Sequence, residues 1–285
     1  MSLTEVRTTL PYEGPYDARA VLGHFVATAT PGVEQWRAGT YRRTVGLAGG
    51  AAILALAIRP EHVGAVFRLT SVEDEAEAVS RCRRLLDLDA PMGEISASLS
   101  ADPSLGPLVS AAPGQRIPGS IDAAEQIIKV IFGQQISTAR AAALVGRIAE
   151  QYGEPINDPD GSLTHLFPTS AVIAGVDPAT LPMPRRRAHT IVTVAGLLAT
   201  GEIDLTTIAA AREQLAAVPG IGPWTVEVVA MRALGDPDAF PSGDLGVRKA
   251  LATLPGADPE RWRPWRSYAT QQLWASLDHE MNRLV

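Results

Sequence analysis

Between Thr206 and Leu234 the sequence reads as two helices that cannot be one. Residues 206–217 carry a helical pattern, Pro219-Gly220-Ile221-Gly222-Pro223 cannot continue it, and the pattern resumes at Trp224. So short a break forces a hairpin. Its glycines allow positive φ and let another backbone come close. The amides of Gly220 and Gly222, with the free N–H groups opening the second helix, form an outward-facing anion site. An ordinary corner between two helices shares the bare P-G-x-G pattern, so the segment alone leaves both readings open.

Charge makes the placement of that site matter. With 25 Lys and Arg against 31 Asp and Glu the net charge is −6, which argues against a general polyanion binder. Contact with nucleic acid must then come from local placement, and main-chain amides need no basic side chain. Lys129 and Lys249 are the only lysines, so amines for covalent chemistry are scarce. Cys82 is the only cysteine, which excludes an intramolecular disulfide and a thiolate-held iron–sulfur cluster. The opening "MSLTEVRTTLPYEG" lacks the regions of a signal peptide, and no apolar stretch approaches the roughly 20 residues of a membrane span. The expected home is the reduced cytoplasm.

Along the chain, residues 1–90 read as a mixed α/β subdomain. It has a helix opening at Asp17, a hairpin of "TYRRTVGL" and "AILALAIRP" around Gly49-Gly50, a strand in "GAVFRLT", and a helix capped by Ser71. Residues 91–120, dense in Pro and Gly, read as a loop-like connector. Beyond it the pattern is helical: a domain over 121–230 that includes the hairpin at 215–228, then a segment over 231–285 that packs with the connector, with a cleft between the helical parts.

At this point the residues meet a family. "VPGIGPWTVEVV" resembles the hairpin of helix-hairpin-helix DNA glycosylases, whose signature is L-P-G-[IV]-G-x-[KW]-T-A, and Asp244 in "FPSGDLGVRKAL" stands twenty residues past Trp224, where that superfamily carries an aspartate. "PYDARAVLGHFVATA", "IPGSIDAAEQIIKVIFGQQIS", "MPRRRAHTI" and "WRPWRSYATQQLW" resemble further segments of its alkylpurine, 3-methyladenine type II branch, in the same order. The resemblance implies an α+β fold, a mainly α-helical glycosylase core with an N-terminal antiparallel sheet subdomain. It implies a monofunctional DNA glycosylase of base excision repair that hydrolyses the N-glycosidic bond of alkylated purines, of the 3-methyladenine and 7-methylguanine type, and leaves an abasic site.

Taken alone, Asp244 reads as the N-cap of "LGVRKALATL". The two roles are compatible, since capping holds the side chain still. Bond breaking builds positive charge on the sugar, and a carboxylate beside it stabilises that charge and orients water. Trp224 stands where bifunctional relatives carry a Schiff-base lysine, so no strand cleavage is expected. Lys249, five residues past Asp244, should lie more than a helical turn along, and the loop acid Asp238 should be solvated.

By the same resemblance Trp224 and Trp274 are the indoles of a pocket for the extruded base, with the acid and the Trp224 ring on opposite sides of one cleft. Aromatic positions of better-known members are here His24, Val228 and Leu245, which puts the substrate range in doubt. Trp265 and Tyr268 read as structural. Gln135 occupies the place of the residue that fills the gap in the duplex, with Ile136 next to it. Arg187, in the run Arg185-Arg186-Arg187, and the hairpin's Pro219, Gly220, Ile221, Gly222 and Thr225 are candidates for contact with DNA. Relatives often hold a monovalent cation at the hairpin through carbonyls matching Ala216, Val218 and Ile221; no other cofactor is expected. His24, His62, His165, His189 and His279 show no metal-ligand spacing. The expected partner is double-stranded DNA with damaged bases, bound by a monomer away from membranes. Two other readings stay open: a glycosylase of this fold for deaminated or oxidised bases, and a non-catalytic hairpin module.

Overall fold

The computed structural model describes residues 3–277. Five antiparallel strands make one sheet: β1 (Thr4–Pro11), β2 (Glu34–Arg37), β3 (Thr40–Leu47), β4 (Gly50–Ile58) and β5 (His62–Leu69), in the order β1-β5-β4-β3-β2. Their side chains alternate, so Tyr41, Leu54, Leu56 and Phe67 are buried on one face. Helices α1 (Ala18–Thr28) and α2 (Glu75–Leu85) supply Val21, Phe25, Cys82 and Leu85 to the same core. Asp17 caps α1, as its place in the sequence suggests; Ser71 caps a 3-10 turn that leads into α2. The outer strands β1 and β2 are absent from the sequence reading.

The connector differs from expectation, because it holds two helices, α3 (Met92–Ser100) and α4 (Gly106–Ala111). Pro91 sits at the N-cap of α3 and Pro107 in the first turn of α4, where a missing N–H costs nothing. Here the prolines begin helices. Then follow α5 (Ala123–Gly133), α6 (Thr138–Tyr152), α7 (Ser170–Ala174), α8 (Arg185–Thr200), α9 (Ile208–Ala216), α10 (Pro223–Arg232), α11 (Leu245–Leu251) and α12 (Arg266–Ala275). The helical pattern expected to run past Leu277 lies outside the described residues there.

Helices α5 to α10 share a core of Ile127, Ile131, Leu144, Ile191, Leu215 and Val229. Another core joins connector residues Ile95, Leu99 and Leu105 to Met231, Val247, Trp262 and Leu273. Tyr268 is buried there and Trp265 packs against it. Asp238 is half-buried and ion-paired, since Arg266 binds its carboxylate at 2.8 Å and Arg263 pairs with it as well.

A buried ionic cluster joins sheet to helices. Glu34 on β2 accepts from Lys129 Nζ on α5 at 2.6 Å and from the Tyr41 hydroxyl at 2.6 Å. Arg43 reaches Glu125 on α5 at 2.7 Å. Burial pushes the Glu34 carboxyl up, but Lys129, Arg43 and the bond from Tyr41 outweigh it and hold it at about 2. No helix among the described residues is long and apolar enough to cross a membrane.

Candidate active site

The hairpin between α9 and α10 turns its apolar side inward and its backbone outward. Val218 and Ile221 are buried in the helical core, while Pro219 and Gly220 are exposed. Gly220 has φ of +99°, and a Cβ there would lie 2.3 Å from Thr190 Oγ1. Only glycine meets both demands. The Thr190 hydroxyl, on α8, donates to the Pro219 carbonyl at 2.9 Å. Gly222 is different: its φ is −97°, and a Cβ there would meet nothing within 4 Å. Its positive-φ role expected from sequence is therefore wrong; what it leaves is open space on the outer side. Pro223 opens α10, and the amides of Gly220, Gly222 and Trp224 have no main-chain acceptor among the described residues.

Beside the hairpin lies the turn between α5 and α6. Gln134 donates to Thr225 Oγ1 at 2.9 Å and approaches the Gly220 carbonyl at 3.4 Å. Thr225 is thus buried, its side chain facing the turn and not the surface. Gln135 is exposed with φ of +60°, and Arg187 Nη2 approaches its Oε1 at 3.4 Å. Hairpin, turn and the start of α8 so form one edge, with Gln135, Arg187, Pro219 and Gly222 along it. Ile136 points the other way, into a cleft.

That cleft has a volume of about 520 Å³. It brings together Trp224 and Val228 from α10, Asp244 and Leu245 at the start of α11, Trp274 from α12, and His24 from the sheet subdomain. Both lysines line it as well; Lys129 is held by Glu34, and Lys249 is exposed at the mouth. Another concavity, about 450 Å³, lies on the outer face of the sheet. Its Arg7, Arg42 and Arg68 are already paired with Glu5, Asp158 and Asp160.

Asp244 caps α11 through Oδ1, which accepts from the Val247 amide at 3.0 Å. The same oxygen accepts from Trp274 Nε1 at 2.9 Å, and Oδ2 accepts from Trp224 Nε1 at 3.0 Å. The expected placement of acid and Trp224 ring across a cleft is corrected: the indole edge touches the carboxylate. Gly246 makes room, since a Cβ there would come 3.0 Å from Trp274 Cδ1 and 3.1 Å from Asp244 Oδ1. A carboxylate only accepts, so three N–H donors are a fitting set for it and fix its orientation.

Around this group the walls are mixed. Leu245 is 65% exposed, a large apolar side chain presented to solvent. Burial, with Arg232 and Lys129 nearby, pushes the His24 imidazole well below its ordinary value, while Glu34 pulls weakly the other way. His24 is therefore neutral at neutral pH. Sequence reasoning missed Gln134, Arg232 and Gly246. Gln134 stands next to the residue singled out for the duplex gap; nothing in the sequence marks the other two. At the hairpin, the Val218 carbonyl already accepts from the Ile221 amide at 3.1 Å. No group of three or more His, Cys, Asp or Glu suited to a metal occurs among the described residues; His279 lies outside them.

The chain is similar to known proteins along nearly its full length. The AlkA N-terminal domain family matches residues 7–122. A Mycobacterium tuberculosis protein named "Probable bifunctional transcriptional activator/DNA repair enzyme AlkA" is 45% identical over 290 residues, which is 98% of this chain and 58% of that one. The chain thus spans a little over half the length of that relative. The Escherichia coli "DNA-3-methyladenine glycosylase 2" is 34% identical over 93% of this chain and 96% of its own length. Among solved structures, a 3-methyladenine DNA-glycosylase from Archaeoglobus fulgidus has a TM-score of 0.81 at 24% identity, covering 94% of this chain and 97% of that one. At that identity the likeness speaks to the α+β fold alone.

Proposed function

The chain belongs to the family of DNA-3-methyladenine glycosylase 2, the AlkA family, and from that premise we propose that it is a monofunctional glycosylase that removes alkylated purines from double-stranded DNA. The observation that carries this reading is Asp244, held by two indole N–H groups at a base-sized cleft beside an outward-facing hairpin. The amides of Gly220 and Gly222 grip a phosphate. Arg185, Arg186 and Arg187 stand at the N-terminus of α8, where like-signed partial charge disfavours them, so a phosphate there relieves the repulsion. Gln135 fills the space the base vacates, with Ile136 on the cleft side.

The damaged base turns out of the stack into the cleft. Its cationic ring lies against indole, an attraction of roughly 0.5–2 kcal/mol per contact. As the glycosidic bond stretches, positive charge grows on the sugar, and the fixed carboxylate of Asp244 stabilises it and orients the water that attacks. An alkylated purine leaves with little help from an acid, so one carboxylate suffices. A monovalent cation held by the carbonyls of Ala216, Val218 and Ile221 belongs to the same reading; Val218 would offer its second lone pair. The enzyme acts as a monomer on cytoplasmic DNA.

Base release from a panel of lesion duplexes tests this. We expect free 3-methyladenine and 7-methylguanine, an uncleaved abasic strand, and a loss of at least about 10²-fold in Asp244→Asn. Normal release by that variant would remove Asp244 from the mechanism, and release confined to hypoxanthine or oxidised guanine would replace the substrate class. Trp224 has no amine, so borohydride should trap no enzyme–DNA adduct. An adduct lost in Lys249→Ala would overturn the monofunctional reading.

A further inference from the structure

Arg232 ends α10 inside the cleft, 8% exposed. Nη1 donates to the Pro118 carbonyl at 3.0 Å, and the guanidinium lies 5.2 Å from the centre of the Trp274 ring. Among the described residues nothing else is bonded to it. No carboxylate among the described residues pairs with it, and Nε and Nη2 have no acceptor, yet neither is among the sealed, unpartnered atoms of the protein. Arg232 lines the cavity. Burial pushes the guanidinium down to about 10, with Asp244 the charge that pulls it back, so it stays protonated at neutral pH.

A buried guanidinium with two free N–H groups is costly until an acceptor arrives. Among the described residues no acceptor on the neighbouring walls is bonded to Nε or Nη2. Val228 is aliphatic, Lys129 is a donor already held by Glu34, and the two oxygens of Asp244 accept from Trp224, Trp274 and Val247. The acceptor must come with the ligand. A purine offers one at its 6-position when that position is a carbonyl, and a donor when it is an amino group; guanidinium against the O6 edge of guanine is a favoured pairing.

We propose that Arg232 is a specificity-determining residue that donates to O6 of the extruded base, so that the enzyme favours methylated 6-oxopurines over methylated 6-aminopurines. The proposal rests on the glycosylase reading above. Both classes carry the methyl-induced positive charge, so repulsion by Arg232 is common to them and cancels in a comparison. At the 6-position they differ in what they offer the guanidinium, a carbonyl oxygen accepting where an amino group donates.

The test measures 3-methylguanine and 3-methyladenine released from one methylated duplex, each rate divided by its spontaneous release. The methyl group is then at the same atom in both. Wild type should enhance 3-methylguanine release more. Arg232→Met, which keeps the stem and removes the donors, should lower the guanine-to-adenine ratio about tenfold, because a site built to bond a group discriminates strongly only while that bond exists. Arg232→Lys, which keeps one charged donor, should give an intermediate ratio. An unchanged ratio in both variants, or a wild-type preference for 3-methyladenine, would overturn the assignment. Should Arg232→Met fail to fold, the wild-type preference and Arg232→Lys decide. Release of neither base by wild type would instead overturn the glycosylase reading.

Discussion

Each indole has one polar hydrogen, and in this cleft both are given to Asp244. Trp224 and Trp274 thus serve as walls and as hands on the carboxylate. That coupling makes Gly246 consequential. Gly246→Ala would press a methyl against Trp274 Cδ1 and Asp244 Oδ1 at 3.0 and 3.1 Å, and one of the two must give. We expect base release to fall roughly tenfold, the size of effect that follows when a reacting group loses its geometry. The melting temperature should move little, since Gly246 is half-exposed at the start of α11. Single-turnover rates beside a thermal melt check this. Asp244 was legible because a cap, a hairpin and a fixed spacing coincide in the sequence. Arg232 was not: an arginine in the last turn of a helix reads as a charge placed for the helix dipole, and no periodicity says that its face is turned to a cavity. Gly246 was invisible for a related reason, because its need arises from a tryptophan 28 positions away that only folding brings near.

The hairpin does not stand by itself; α8 holds it from behind and the α5–α6 turn from the side. Gln134→Ala would remove the bond to Thr225 and leave the turn and hairpin free to shift. A net hydrogen bond is worth about 1 kcal/mol, so duplex affinity should drop about fivefold, while base release at saturating enzyme stays near wild type. Titration of an undamaged duplex separates the two, and an equal fall in both would place Gln134 in the chemistry instead. Thr190→Val, which deletes the hydroxyl that donates to Pro219, should behave alike. At this scale the helices were legible where caps marked them, as at Asp17, Asp122 and Gly201. The connector helices were hidden by Pro91 and Pro107, read as breakers although both stand at helix starts. Strand β1 was hidden because its inward positions Val6, Thr8 and Leu10 include a polar residue, and β2 because it is four residues long; it is their pairing with β5 and β3 that defines them.

Two carboxyls, Glu34 buried and Asp87 half-buried, stand where the parts of the molecule join, and they respond to pH in opposite senses. Glu34, between sheet and α5, is held at about 2 against an ordinary 4.5. It supplies stability above about pH 4.5 that is lost as the pH falls toward 2. Asp87, between sheet subdomain and connector, is pushed by burial up to about 6 from 3.8, despite the Ile117 amide and Arg116. The folded chain binds that proton more tightly than the unfolded one, so its contribution is full below about pH 4 and is lost as the pH rises through 6. These two groups together favour a stability maximum at about pH 4. Asp87→Asn should remove the alkaline side of that peak. Asn keeps an oxygen for the Ile117 amide, turns an N–H toward the Tyr268 hydroxyl that now donates to Asp87 at 3.3 Å, and tolerates the φ of +54° found there. The variant should therefore be more stable than wild type at pH 7.5 by on the order of 1–3 kcal/mol and no more stable near pH 4. Denaturant melts at both pH values decide it: an equal gain at both would mean packing and not ionisation, and a loss at pH 7.5 would show that the charge of Asp87 helps to hold Arg116 in the joint.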